Sequence, residues 1–181
     1  MPSSYPGGYD ALTNPAGGDD LTSPSHSGQH TDANNAIEAI QAELGLDPAG
    51  AQATVKARLD TMAVSSIGAI LDGAGAAIAD GTKVYVRVPF ACTINEFTLL
   101  ADQSGSITVE VWKDTYANYP PLTADDISNN GLAISAADKA TDTTLTSWTT
   151  AIAAGDVLAF VVVGAATSIT RVTAQLKVTR T

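Results

Sequence analysis

The two histidines of the chain, His26 and His30, are the residues whose type and spacing most directly suggest chemistry. Histidines four residues apart on one face of an α-helix can hold zinc. Gly28 interrupts this pair and Pro24 precedes it, so we expect the segment to be extended rather than helical. A zinc site also needs further ligands, and no other histidine or cysteine lies nearby in the sequence. We therefore expect a hinge, and a metal site only if a symmetric trimer brings six imidazoles together.

The adjacent carboxylates Asp125–Asp126 and Asp19–Asp20 are the next candidates. Catalysis by two carboxylates requires that both face one cleft in different environments, whereas neighbouring loop aspartates tend to point apart. A calcium site on the "TADDISNN" loop stays an alternative, although the spacing of an EF-hand is absent. The nucleophile-elbow, Walker A, CxxC and HExxH motifs are also absent. The sequence therefore predicts solvated turns, no catalytic or metal-binding residue, no cofactor, and no enzymatic activity.

Aromatic residues cluster on and just after one expected strand, at Trp112, Tyr116 and Tyr119. Aromatic rings beside a loop can stack on sugar rings, so a glycan contact is one interpretation of these three residues. A tryptophan within a strand is more typical of a core position. The single cysteine, Cys92, lies among apolar neighbours without a basic partner, which predicts a buried and unreactive thiol.

Composition limits the classes of partner. The 181 residues allow one ordinary domain with appendages, and the net charge of −10 disfavours a nucleic-acid backbone or an anionic membrane surface as partner. No run of eighteen apolar residues occurs, so we expect no membrane insertion. The N-terminus lacks the basic and apolar regions of a signal peptide, which predicts maturation in a cytoplasm. The protein could still leave the cell within a larger particle.

Residues 1–30 are rich in Pro, Gly, Ser and Asp and show no hydrophobic period, so they cannot bury enough surface to fold alone. We expect an extended arm that docks on another protein through four isolated apolar anchors: Tyr5, Tyr9, Leu12 and Leu21. A disordered leader is the alternative interpretation.

Residues 31–63 are expected to form a short helical stalk or oligomerisation segment. A first helix over 31–45 would be capped by Thr31 or Asp32 and ended by Gly45, and a second would cover about 51–62. The first carries an apolar seam with spacings of four, three and four residues: Ala33, Ile37, Ile40 and Leu44. Two heptads are too short for a stable isolated helix, so this seam must pack on the β domain or on sister copies.

Residues 64–81 are Gly/Ala-rich and predict a joint, after which the hydrophobic period changes from helical to two over residues 82–181. Runs such as "KVYVR", "SITVEVWKD", "DTTLTSW" and "DVLAFVVVG" predict strands, the last of them central, with a long surface loop over 114–131. The expected fold class is mainly β. It consists of a C-terminal antiparallel β-sandwich or small jelly-roll-like barrel, preceded by the extended arm and one or two short α-helices.

Two stretches resemble proteins of a known class. "YDALTNPAGGDDLTSPSHSGQHTDANNAIEAIQAELG" is similar to the N-terminal segment of tailed-bacteriophage fibre and minor structural proteins, through its "LTSPSH" turn and "QHTDANNAIEAI" helix start. "VPFACTINEFTLLADQSGSITVEVWKDTYANYPP" resembles a β module of phage structural proteins. The resemblance implies membership of a virion and homo-oligomers that are often trimers. Fibres usually continue into long repeats or a large tip, and this chain does not, which favours a short head fibre or capsid decoration protein.

The sequence-based hypothesis is therefore a trimeric virion structural protein, assembled in the host cytoplasm, whose arm contacts other virion proteins of capsid, neck or tail. Its β domain would be displayed outward. One alternative is a tail-fibre or tail-appendage protein whose β domain binds a receptor or host-surface glycan. Another is an enzyme that acts on cell-surface polysaccharide, which would need two carboxylates close together in a cleft.

Overall fold

A computed structural model of the chain describes residues 26–45 and 47–181. Residues 1–25 of the expected docking arm, with its anchors Tyr5, Tyr9, Leu12 and Leu21, lie outside these residues. The chain divides into two compact units, one ending at Leu59 and the other covering Asp60–Thr181. We call the second unit the β domain. Within the described residues, no helix is both long and apolar enough to cross a membrane.

In the part of the chain that the structure describes, two helices precede the sheet, α1 at His26–Leu44 and α2 at Val55–Ala63. Helix α1 begins five residues before the expected start at position 31, so His26 and His30 are helical rather than extended. Thr31 does not cap the helix, because its hydroxyl donates to the Ser27 carbonyl one turn back, at 2.9 Å. Helix α1 ends as expected at Gly45, which has a φ of 73°. No residue of either helix is buried.

Seven antiparallel strands form one curled sheet, which confirms the mainly β prediction. Their bounds are β1 Val64–Asp72, β2 Lys83–Arg87, β3 Cys92–Asp114, β4 Leu132–Asp142, β5 Ala151–Ile152, β6 Val157–Thr167 and β7 Arg171–Arg180. The order is β1-β7-β3-β6-β2, with β4 and β5 paired to β3 as well. Strand β6 is central as predicted, since it pairs with β3 on one side and β2 on the other.

The long strand β3 joins the two layers of the curled sheet. Its first half, 92–101, pairs with β7, and its second half, 106–114, pairs with β6. The register shifts between the halves at Gly105, where a Cβ atom would lie 2.0 Å from the carbonyl oxygen of Thr167. A side chain cannot fit there, so glycine permits the bend that folds one layer onto the other.

The core lies between these layers. Phe97 from the first half of β3 packs against Phe160 of β6, with ring centroids 6.3 Å apart, and against Trp148 at 5.5 Å. Phe97 and Phe160 are fully buried. Cys92 is buried as predicted, and burial raises the pKa of its thiol, as expected for an unreactive structural cysteine.

Two boundary predictions are wrong. The expected joint over 64–81 contains strand β1, so the sheet begins at Val64 rather than at 82. Ile67 and Leu71 of this strand are buried, while Gly68 lies so close to the Ala174 carbonyl that an added Cβ would approach it to 2.8 Å. The expected strand "DTTLTSW" is instead a turn, because the Asp142 carboxylate accepts hydrogen bonds from the backbone N–H groups of Thr144 and Leu145.

Candidate functional site

Helix α1 presents an apolar stripe that remains exposed. Ile37, Ile40 and Leu44 of the expected oligomerisation seam are 53%, 44% and 50% exposed, and Ala33 is partly buried. Burying a large aliphatic side chain contributes about 1.5–3 kcal/mol relative to leaving it exposed. A helix that exposes three such residues on one face is therefore suited to packing against another protein surface.

The histidine pair lies at the opposite end of the same helix. Because α1 includes both residues, the sequence-based prediction of a hinge at this point is wrong. The Nε2 atoms of His26 and His30 are 3.1 Å apart, and the two rings meet edge to face with centroids 4.4 Å apart. This separation is a hydrogen bond between the rings, and both side chains are exposed, so solvent reaches the two nitrogens.

The β domain presents a second feature, the outward side of the layer formed by β2, β6 and the second half of β3. Tyr85, Ala159 and Trp112 are in register across these three strands, and Lys83, Val161 and Glu110 form the neighbouring row. We call this surface the outer face. The central strand supplies the small buried residues of both rows, and the strands on either side supply the aromatic and charged ones.

Trp112, on the β3 side of the outer face, is only 5% exposed. Its indole Nε1–H donates to Glu110 Oε2 at 2.6 Å, and the Lys83 ammonium lies 4.2 Å from the ring centroid. These contacts satisfy the indole N–H and occupy one face of the ring. Trp112 is therefore a buried structural residue, and it does not share an exposed platform with Tyr116 and Tyr119.

The loop after β3 brings the two expected tyrosines to the edge of the outer face. Tyr119 meets Tyr85 edge to face with centroids 5.1 Å apart, and the Arg87 guanidinium lies 4.9 Å from the Tyr116 centroid. Tyr119 and Tyr116 are 52% and 66% exposed. Tyr85 and Arg87 were missed as site residues. Their signal was the alternation in "KVYVR", which places both on the side opposite the core-facing valines.

The carboxylates of Asp125 and Asp126 stabilise turns by accepting backbone hydrogen bonds. Asp125 accepts a hydrogen bond from the Leu122 N–H at 2.7 Å. Asp126 accepts from the Ser128 N–H at 2.7 Å and from the Asn130 N–H at 3.0 Å. Neighbouring backbone donors thus occupy both carboxylates, as in the turn interpretation. Across residues 26–45 and 47–181, no group of three or more His, Cys, Asp or Glu side chains could hold a metal ion.

No protein-family model matches the chain. No curated protein matches it either. Among solved structures, a match is found with RmlC from Streptococcus suis, determined in complex with dTDP-D-xylose. The match has 9% sequence identity and a TM-score of 0.27, and covers 74% of this chain and 51% of RmlC. The matched segment thus spans about half of the length of that protein.

The sequence-based prediction that the chain is not an enzyme is contradicted by this match. That prediction is withdrawn. At this TM-score and identity the likeness carries no argument about the fold, substrate or activity of the present chain, and no function is transferred from it.

Proposed function

We propose that this chain is a structural protein of a bacteriophage virion, of the short head-fibre or capsid-decoration type. Three copies associate through α1, the N-terminal arm contacts other virion proteins of capsid, neck or tail, and the β domains face outward. The N-terminal and β-module sequence resemblances suggest the class of particle. The exposed stripe of α1 is the observation that carries the assembly part of the proposal.

The stripe supports self-association for an energetic reason. A helix of 19 residues with none fully buried gains limited stability from packing within the chain, and most helical stability in proteins comes from such packing. Association of identical helices along Ile37, Ile40 and Leu44 would remove these side chains from water. Isoleucine at successive a and d positions, here Ile37 and Ile40, favours three or four helices over two. This pattern supports the trimer.

The experiment is a sedimentation-equilibrium measurement on the full chain. We expect three times the 18.4 kDa mass of one chain, and monomers for Ile40→Asp, which places a carboxylate in the seam. The matched control is Ala42→Asp, which adds the same charge on the other side of the helix and should remain trimeric. A wild-type monomer, or an Ile40→Asp variant that stays trimeric, would exclude α1 as the assembly element.

The virion part of the proposal has its own test. Deletion of residues 1–25 should abolish incorporation of the chain into phage particles while the β domain keeps its melting temperature. A reconstruction of the intact particle should then locate the full chain on the capsid or neck. If the shortened chain is still incorporated, the arm is not the segment that docks on the virion.

A second candidate function is a tail fibre or tail appendage whose β domain binds a host-surface glycan. The exposed rings of Tyr116 and Tyr119, with Tyr85 and Arg87 beside them, favour it, because aromatic rings and cationic groups contact sugars and their acidic substituents. Trp112 takes no part, since it is buried.

Binding of purified host-surface glycan to the full chain tests this candidate. Tyr119→Ala should weaken binding by about tenfold, which corresponds to about 1.4 kcal/mol. Leu122→Ala is the matched control, since Leu122 lies on the same loop and is 63% exposed. Glycan binding that is equal in the two variants, or absent from the wild type, would reject the outer face as a receptor site.

A further inference from the structure

The two Nε2 atoms of the histidine pair in α1 have the separation expected for two ligands of one metal ion. A metal ion holds imidazole nitrogens at about 2.0–2.1 Å, so two neighbouring nitrogens on one ion lie about 2.9 Å apart at a right angle and about 3.3 Å apart at the tetrahedral angle. The observed separation of 3.1 Å between the Nε2 atoms of His26 and His30 falls between these values. In the ion-free chain these two nitrogens share a hydrogen bond, and an ion would replace it by losing the shared proton and turning both Nε2 lone pairs toward the metal.

The position of the pair along the helix adds an independent observation. His26 and His30 precede Ala33 by seven and three residues, so the spacing of four and three residues continues without interruption from His26 to Leu44. The histidines thus occupy the same face of α1 as the apolar stripe. If copies of α1 associate along that face, as proposed above, the imidazoles of all copies meet at one end of the bundle.

We propose that His26 and His30 form a site for a divalent transition-metal ion, completed by the same two histidines of sister copies. Two nitrogens from one chain leave coordination positions open, and the imidazoles of neighbouring copies fill them. The ligand class is that of Zn²⁺, Ni²⁺ and Cu²⁺, because imidazole suits these ions whereas Ca²⁺ and Mg²⁺ take oxygen ligands. The bound ion links the helices at the end of the stripe nearest the N-terminal arm. The sharing of ligands rests on the proposed assembly through α1, and the chelation by one pair does not.

Titration of the full chain with Zn²⁺ by calorimetry tests the site. These are the only histidines in the chain, and Cys92 is buried in the sheet, so little background from other soft ligands is expected. We expect fewer than one ion per chain, since each ion is shared. His30→Ala should weaken Zn²⁺ binding by at least about tenfold, because the loss of a supporting residue of a metal site alone costs 10- to 100-fold.

The matched control keeps the number of histidines and changes only their spacing. A chain carrying both His30→Ala and Thr31→His has histidines five residues apart, which places them on diverging directions of the helix. It should bind Zn²⁺ as weakly as His30→Ala alone. Binding equal to that of the wild type would overturn the proposal, because any two histidines would then suffice.

The remaining outcomes separate this proposal from the proposed function. A wild-type trimer that binds no Zn²⁺ overturns the metal site and leaves the assembly intact. A wild-type monomer that binds one ion per chain overturns the shared site together with the trimer. In Ile40→Asp monomers, the shared site predicts weaker Zn²⁺ binding than in the wild type, and unchanged affinity would show that sister copies supply no ligand.

Discussion

Helix α1 and strand β3 have similar lengths, 19 and 23 residues, but place their apolar side chains differently. Strand β3 buries seven aliphatic, aromatic or thiol side chains of the main core: Cys92, Ile94, Phe97, Leu99, Ile107, Val109 and Val111. Helix α1 buries none, and its largest apolar residues are 44–53% exposed. Strand β3 therefore buries most of its large apolar residues within one chain, although Leu100 remains 47% exposed, whereas all three large apolar residues of the α1 stripe remain exposed.

The difference predicts where substitutions affect the stability of one chain. Phe97→Ala should lower the free energy of unfolding of the β domain by about 3–5 kcal/mol, because it leaves a cavity between the two layers. Urea unfolding measures the loss. Leu100→Ala, in the same strand but at a 47% exposed position, is the control and should change stability by about 0.5 kcal/mol or less. Equal effects of the two changes would contradict the assignment of the core.

The outer face provides a smaller effect from a buried polar contact. Glu110→Ala should cost about 1–3 kcal/mol, because the Trp112 indole N–H would lose its acceptor in a buried position. Glu110→Gln keeps an oxygen acceptor and should retain most of the stability in the same urea measurement. If Glu110→Gln is as destabilising as Glu110→Ala, the hydrogen bond between Glu110 and Trp112 does not account for the loss of stability.

Within α1, the corresponding truncation should leave the β domain unaffected. Ile40→Ala should change the free energy of unfolding of the β domain by less than about 0.5 kcal/mol, because Ile40 belongs to the other compact unit of the chain. The same variant should weaken self-association in sedimentation. A clear loss of β-domain stability in monomers of this variant would show that the two units depend on each other.

Acidification should destabilise the β domain less than the core substitutions do, and only at low pH. Hydrogen bonds from Arg171, Thr170 and Leu145 hold the pKa values of Asp72, Asp102 and Asp142, respectively, below the usual 3.8. A carboxyl whose pKa is lower in the folded chain stabilises the fold above its unfolded pKa, and this stabilisation disappears as the pH falls through the folded value.

The melting temperature of the β domain should therefore stay level from pH 7 to about 5 and fall below about pH 4. Asp142→Asn should make that fall shallower. A melting temperature that rises on acidification would contradict the lowered pKa values.

Sequence patterns predicted the strands in which large β-branched residues alternate, as in "KVYVR", and the apolar central strand "DVLAFVVVG". Strand β1 was missed because its serine, glycine and alanine residues suit a joint equally well, and only pairing with β7 shows that Ile67 and Leu71 enter the core. The run "SITVEVWKD" was predicted as a strand of its own, whereas the structure includes it in the long strand β3, which bends at Gly105.

The candidate site was predicted less well than the fold. Gly28 and the nearby Pro24 argued against a helix at the histidines, but α1 extends to His26 and brings the two Nε2 atoms together. The structural role of Trp112 was one of the two interpretations, whereas its contacts with Glu110 and Lys83 depend on a strand register that one sequence does not reveal. The partners of Tyr116 and Tyr119 likewise lie on a distant strand.

The most direct test of assembly through α1 compares the mass of the full chain with that of a fragment containing residues 60–181, by sedimentation equilibrium. Assembly through α1 predicts a trimer for the full chain and a monomer for the fragment, with the same melting temperature for the β domain in both. A trimeric fragment would place the assembly surface on the sheet, and a monomeric full chain would contradict the assembly role of α1.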